Sequence, residues 1–405
     1  MTLPARADSA RCQFTCQHKP ASFDFETTDA NQYAEWEVDY LKLDNCGSCP
    51  NESYATALKH YSAMGVALNK SGRAIFYMSE FGTEYGMLPG GHAGPHVGPG
   101  ADTAIAPKLF NTDRVGNDIN PHWSSVISLI DDDEKHAPYA QPGFFNDMDM
   151  LEVGNGMSLV EDESHMAMWC VLAAPLIVGC DMTQMTPDTL RILTAKGPLS
   201  VDQDKLGVQG TVCSVSGADK ATQVWRKPLS DGSIALVALN RADNSASGAN
   251  IFIDLDKCGH GGDGNAQTAI TDIWTGKSVA TIVNNSNYTA NGIPLHGSVF
   301  LRLSKAATTG SGSNNHHRSY QTHTQVERVA LACPNGHWIQ SLRRGGSSGS
   351  SGGETVVVAR RGCEGQQSCS FLSMEVLRLH YECRSSSGVG ESPEDGDAAV
   401  DIELN

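Results

Sequence analysis

Trp36-Glu37-Val38-Asp39-Tyr40-Leu41-Lys42-Leu43-Asp44-Asn45-Cys46 decides the fold. Side chains alternate across a strand, so Leu41 and Leu43 share one face while Lys42 and Asp44 share the other. Val38–Asp44 is thus predicted as a strand with an apolar side and a charged end. Downstream, residues 55–68 carry Ala, Leu, Tyr and Met at helical spacing, and an apolar strand is expected at 74–77. Strand, helix, strand is the pattern of a parallel α/β sheet or barrel. It continues to about residue 205, with further strands expected before Asp118, at 148–153 and at 175–178, and a helix over 164–172. Residues 85–107, rich in Gly, Pro and His, are expected to form a long irregular loop of the kind usually reserved for function.

The rest of the 405 residues divides by composition. After Leu206 the pattern becomes short alternating strands at 234–238, 251–253 and 298–303, broken by Gly, Asn and Asp, which predicts an antiparallel β-sandwich over 206–305. Residues 306–325 turn to Thr, Gly, Ser, Asn and His and are expected to be a linker; the His316-His317 pair within it is expected to be solvated and not to hold a metal. Residues 326–384 hold four cysteines and are expected to form a small disulfide-stapled module. The tail, 385–405, has acids and no base after Gly388 and is expected to be disordered.

Charge and length exclude several classes. There are 46 acidic against 29 basic residues, a net charge of −17, which argues against nucleic acid or an anionic membrane as partner and leaves a neutral substrate unaffected. The longest apolar run, 167–180, is broken by Pro175 and is too short to span a bilayer. Residues 1–11 have no apolar core and are not a secretory signal. Twelve cysteines and sequons at Asn51, Asn69, Asn284 and Asn287 nevertheless favour an oxidising compartment.

Polar residues at the C-terminal ends of barrel strands face an active site. Lys42 and Asp44 are one such pair, Arg114 and Asp118 a second, and Asn146-Asp147-Met148-Asp149-Met150-Leu151 a third acidic strand end. Several acids converging on one rim point to paired-carboxylate chemistry. A competing possibility is a redox or zinc site at Cys46-Gly47-Ser48-Cys49, which lacks a second CxxC or His pair.

The stretch from Trp36 to Cys46 resembles the nucleophile strand of the melibiase-type α-galactosidases, glycoside hydrolase family 27. Phe145-Asn146-Asp147-Met148-Asp149-Met150-Leu151-Glu152-Val153-Gly154-Asn155-Gly156 and Val201-Asp202-Gln203-Asp204-Lys205-Leu206-Gly207-Val208-Gln209-Gly210 resemble two further signatures in the same order. The resemblance implies a retaining exo-glycosidase acting on terminal α-D-galactosyl groups, with no cofactor and no metal. Asp44 falls on the nucleophile and Asp118 on the acid/base. Lys42, Glu80, Arg114, Asp149, Met150 and Cys16 fall on substrate-binding positions, and Cys16 is expected to bridge to Cys46. Glu80 stands where relatives acting on N-acetylgalactosamine carry a small residue, which favours free galactose. The family's Cys-Glu-Trp-Gly is Ser79-Glu80-Phe81-Gly82 here, and its Gly-Trp-Asn-Asp-Pro-Asp is Phe144-Phe145-Asn146-Asp147-Met148-Asp149.

Counted against the family's (β/α)8 barrel, strand ends four to eight are expected near Asp44, Glu80, Asp118, Asp149 and Cys180, with the first three units lying upstream of Ala7. Residues 1–205 would then be a partial barrel with open edges, inactive or nearly so alone, and a missing leader would carry the chain to a secreted, lysosomal or vacuolar destination. Residues 326–384 resemble the galactose/rhamnose-binding module of egg lectins, reduced to two of its bridges, Cys333 with Cys383 and Cys363 with Cys369. That implies a possible second sugar, although the family's sugar-contacting stretches are absent. A non-catalytic galactoside-binding or structural relic is the alternative to an enzyme.

Overall fold

The computed structural model describes residues 5–46, 53–81, 105–242, 248–259, 267–283 and 287–306, together with the backbone of five short strands beyond 328. The chain divides into two compact units, 1–309 and 310–405.

The first unit opens with a parallel sheet in simple sequence order: β1 (Ala5–Ala10), β2 (Val38–Asp44), β3 (Phe76–Ser79), β4 (Thr112–Arg114) and β5 (Phe145–Asp147). Helices α1 (Glu26–Glu35), α2 (Tyr54–Lys70), the single turn α3 (Ala106–Leu109) and α4 (Trp123–Glu134) fill the crossovers. Ser53 starts α2 by accepting from the Thr56 N–H, as an N-cap should. On β2 the expected division of faces holds: Val38, Leu41 and Leu43 are buried with Ala30 and Tyr33 of α1 and Ala57, Tyr61 and Met64 of α2, while Tyr40, Lys42 and Asp44 are half-buried.

Three expectations need correction. The edge of β2 is not open: Ala5–Ala10 pairs with it in parallel, placing Asp8 beside Lys42 and Ala10 beside Asp44. This strand escapes an apolar-pattern search because Arg6, Asp8 and Ser9 interrupt it. Second, residues 148–153 are not a strand. β5 ends at Asp147 because Asp149 adopts a left-handed φ of 78°, which turns the chain out of the sheet. Third, residues 175–178 form only a single parallel bridge, Leu151 to Val178; Pro175 has no N–H to give, and its carbonyl accepts from Ile177 in a local turn. The strand expected at 74–77 lies two residues later, at Phe76–Ser79.

Next come α5 (Leu159–Leu172), α6 (Pro187–Leu193) and α7 (Lys196–Asp202). Ser158 and Glu161 close a reciprocal capping box at the start of α5, and every residue from Ser164 to Leu172 is buried. It is buried all round because it lies between the parallel-sheet region and a second core.

That second core belongs to an antiparallel sandwich. Its strands are β6 (Thr211–Ser216), β7 (Thr222–Pro228), β8 (Ile234–Asn240), β9 (Ala249–Ile253), β10 (Gln267–Asp272), β11 (Ser278–Val283), β12 (Tyr288–Ile293) and β13 (Ser298–Lys305). Six of them run in the order β11-β10-β13-β8-β7-β6, and β12 pairs with β9. Strand β8 shows the two-fold period plainly. Ala235, Val237 and Leu239 pack with α5, while Ile234, Leu236 and Ala238 pack with Ile251 and Ile253 of β9. Lys227 is fully buried in this seam and donates to the carbonyls of Cys170 and Asp202 at 3.2 and 3.3 Å. Arg241 grips Asp131 of α4 through two 2.7 Å bonds.

In the second unit, β14 (Val329–Ala330) pairs with β18 (Ala399–Val400), two residues of the expected tail, and β15 (Trp338–Arg344), β17 (Val376–Arg384) and β16 (Gly352–Val358) form an antiparallel sheet in that order. Cys383 lies on β17 opposite Ile339. The pairings expected of Cys333, Cys363 and Cys369, and most of the expected linker, fall outside the described residues.

A disulfide that sequence patterning missed, Cys213 with Cys258, ties β6 to the segment after β9 across 45 residues. Replacing both cysteines by serine should lower the unfolding free energy by about 4 kcal/mol on the loop-entropy account; an unchanged denaturation midpoint would show that the sandwich does not depend on the bridge.

Candidate active site

Four neighbouring parallel strands deliver charge to one end of the sheet. Lys42 and Asp44 close β2, Glu80 follows β3, Arg114 is the last residue of β4, and Asp147 is the last of β5 with Asp149 two residues on. The carboxyl ends of parallel strands are where an α/β fold gathers its chemistry.

The side chains form one continuous line of ion pairs. Lys42 Nζ lies 3.1 Å from Asp44 Oδ2 and 2.9 Å from Glu80 Oε1. Glu80 Oε1 is in turn 3.1 Å from the Arg114 guanidinium, whose other terminal nitrogen reaches Asp118 Oδ1 at 3.1 Å and Asp149 Oδ2 at 3.0 Å. Arg114 is only 1% exposed, so these carboxylates replace its water. Burial opposes charge on both cations, but Asp149 and Glu80 around Arg114, and Glu80 and Asp44 around Lys42, outweigh it and raise both pKa values. Burial lifts Glu80 above the usual carboxylate range in spite of Lys42 and Arg114.

Asp44 is held at both oxygens. Oδ1 accepts from the Cys46 N–H at 2.9 Å, and Oδ2 takes Lys42. Cys46 is disulfide-bonded to Cys16, whose Sγ lies 3.5 Å from Asp44 Oδ1, so the bridge walls one side of Asp44. The same bond bears on the competing redox or zinc reading. The two sulfurs and an Asp44 oxygen lie within 4.8 Å of one another, but they offer no thiolate pair to a metal, and Cys46 is not joined to Cys49.

Asp118 differs from Asp44 in its surroundings. Its side chain is 89% exposed, with Oδ1 on the Arg114 guanidinium. The left-handed turn at Asp149 aims its carboxylate inward: the Asp149 N–H donates to Asp147 Oδ1 at 2.7 Å, and Oδ2 accepts from the Ile119 N–H at 3.0 Å. Met150 is 42% exposed on the far side of that turn.

Two further acids, neither among the expected site residues, stand at this end of the sheet. Asp8 on β1 is raised by burial, lowered by Lys42 and raised by Asp44, which puts it at the same end of the sheet. Asp147 is buried and its pKa is pushed up to about 6, chiefly by burial, with Arg114 opposing. Asp147 stands two residues ahead of Asp149 within the acidic strand end already named, whereas Asp8 precedes no recognised position and spacing gave no signal for it. The departures at Ser79 and Phe81 are absorbed structurally: Ser79 donates to Asp113 in the buried layer, and Phe81 packs edge-on against Tyr61 at 5.4 Å.

Residues 6–204 match the family described as Alpha galactosidase A, and residues 219–303 match the Alpha galactosidase C-terminal beta sandwich domain. The chain is 36% identical to Alpha-galactosidase 3 of Arabidopsis thaliana over 276 residues, 67% of this chain and 57% of that protein. It is 35% identical to a probable alpha-galactosidase of Dictyostelium discoideum over 304 residues, covering 71% of this chain and 69% of the relative. The crystal structure of alpha-galactosidase I from Mortierella vinacea superposes with a TM-score of 0.64 at 27% identity, over 76% of this chain and 78% of that one. With both domains matched in order and the charged strand ends lying inside the first of them, the chain belongs to the alpha-galactosidase, or melibiase, family.

Proposed function

We propose that this chain carries a retaining exo-glycosidase site for terminal α-D-galactosyl groups. The observation that carries the proposal is the unbroken line from Asp44 through Lys42 and Glu80 to Arg114, with Asp118 at its far end. A retaining glycosidase needs two carboxyls in unlike settings, one fixed and ionised, the other free to give up and recover a proton. Asp44, pinned by Lys42 and the Cys46 N–H, suits the first role. Asp118, exposed at the rim, suits the second, because the leaving oxygen and the incoming water both approach from solvent.

In this mechanism Asp44 attacks the anomeric carbon while Asp118 protonates the departing oxygen, so the bond to the aglycone breaks as the bond to Asp44 forms. Water then loses a proton to Asp118 and displaces Asp44, restoring the α configuration. Lys42, Glu80, Arg114, Asp149, Met150 and Cys16 hold and wall the sugar. Asp44, Glu80, Asp118 and Asp149 surround only two cations in this line, and that excess of negative charge favours an oxocarbenium-like transition state. The resemblance of residues 326–384 to egg-lectin modules supports a second sugar site there. The cysteine count and the sequons support a secreted, lysosomal or vacuolar location.

Asp44→Asn and Asp118→Asn should each lower turnover of an α-galactoside with an unactivated alkyl or sugar leaving group by roughly 10³-fold or more while circular dichroism stays unchanged. Only Asp118→Asn should recover on a substrate with an activated leaving group, since such a group needs no proton; failure of that rescue would remove Asp118 from the acid role. Galactose binding without turnover by the unmodified chain would favour the non-catalytic alternative.

Proton NMR of the early reaction should find α-galactose first, with the β-anomer growing in later by mutarotation. The opposite order would exclude a nucleophilic Asp44.

A further inference from the structure

We propose that one face of α5, made by Asp162, His165 and Trp169, fixes the turn that carries Asp149 and Met150 and so sets the affinity of the site for sugar. The proposal rests on the reading above that these two residues meet the galactosyl group. The three side chains lie at i, i+3 and i+7, on one side of the helix. Each makes one bond to the backbone of the segment leaving β5, in antiparallel order. Trp169 Nε1 donates to the Asp149 carbonyl at 3.0 Å, His165 Nε2 accepts from the Glu152 N–H at 3.0 Å, and Asp162 Oδ2 accepts from the Gly154 N–H at 3.1 Å.

Three features mark this as more than ordinary packing. From Ser164 to Leu172 helix α5 is buried all round and Asp162 is buried one turn earlier, and apolar residues would fill that face at less cost than a carboxyl, an imidazole and an indole N–H; one polar atom of each is bonded to the turn, while Asp162 Oδ1 and His165 Nδ1 remain buried without a hydrogen bond. Burial holds the His165 pKa down to about 3, so the ring stays neutral and Nε2 stays an acceptor; its edge meets Trp169 with centroids 4.0 Å apart, which orients both rings. The far side of the segment is gripped as well. Leu151 exchanges bonds with Ile177 and Gly179, and a Cβ at Gly154 would stand 2.7 Å from Thr189. The segment therefore has one path, and that path holds Asp149 at φ 78°, a conformation that non-glycine residues keep only when their surroundings impose it. Released, the backbone at Asp149 would relax and carry its carboxylate away from Arg114.

The three residues are positioning residues, so the test reads the turn and the sugar separately in the full chain. Trp169→Phe removes the N–H and keeps an aromatic ring; Asp162→Ala removes the bond at the other end and serves if the first variant folds poorly; Asp162→Asn retains an acceptor. Amide hydrogen exchange at residues 149–154 should quicken by about tenfold in Trp169→Phe and Asp162→Ala, with α5 and β8 unaffected. The galactose Kd from titration calorimetry should rise by about tenfold in both, while Asp162→Asn stays near the unmodified values. Unchanged exchange at 149–154, exchange quickened along the whole of α5, or quickened exchange with an unchanged galactose Kd would each overturn the proposal. If the unmodified chain binds no galactose, the sugar-site reading itself falls, and the exchange rates still decide whether this face of α5 holds the turn.

Discussion

The guanidinium of Arg114 is the constraint on which the site depends. A cation taken almost wholly out of water must be surrounded by anions, and Glu80, Asp118 and Asp149 come from three different segments to do it. The relation is mutual. Without that central charge, carboxyls crowded at the end of one sheet would repel one another and take up protons. Lys42 extends the same arrangement by one strand, so the spacing of β2, β3 and β4 becomes the spacing of the charged groups.

Fold and chemistry meet on the two faces of a strand. Leu41 and Leu43 anchor β2 to α1 and α2, and that anchoring presents Lys42 and Asp44 on the other side. Packing behind the sheet therefore determines the aim of the charges in front of it. The same logic recurs at β5, where Asp147 ends the strand and its carboxyl receives the N–H of the residue that turns away.

Much of this was legible in the amino-acid sequence, for identifiable reasons. β2 was found to the residue because Leu41 and Leu43 alternate with Lys42 and Asp44, and α2 and β13 were found to within two residues because their periodicity is clean. The strand at Ala5–Ala10 was hidden because Arg, Asp and Ser occupy positions where a strand search looks for apolar residues. The strands expected at 148–153 and 175–178 were lost to local backbone effects, a left-handed aspartate and a proline, that outweigh an apolar run. The candidate site residues came from motifs, which name positions but not partners. That Glu80 bridges Lys42 and Arg114, or that Trp169 holds the Asp149 carbonyl from a helix twenty residues away, depends on tertiary placement that no spacing rule encodes.

Helix α5 has a further consequence. Its residues belong to the same apolar cluster as Trp225, Val237, Leu239 and Phe300 of the sandwich, and Lys227 is fastened to its Cys170 carbonyl. Two regions that share a helix are expected to lose their cores together, in a single transition, even though two family domains match there. Sequence changes in the sandwich, far from the charged strand ends, would then lower the stability of the whole unit instead of fraying an appendage locally, and the sandwich would evolve under the same stability threshold as the parallel strands.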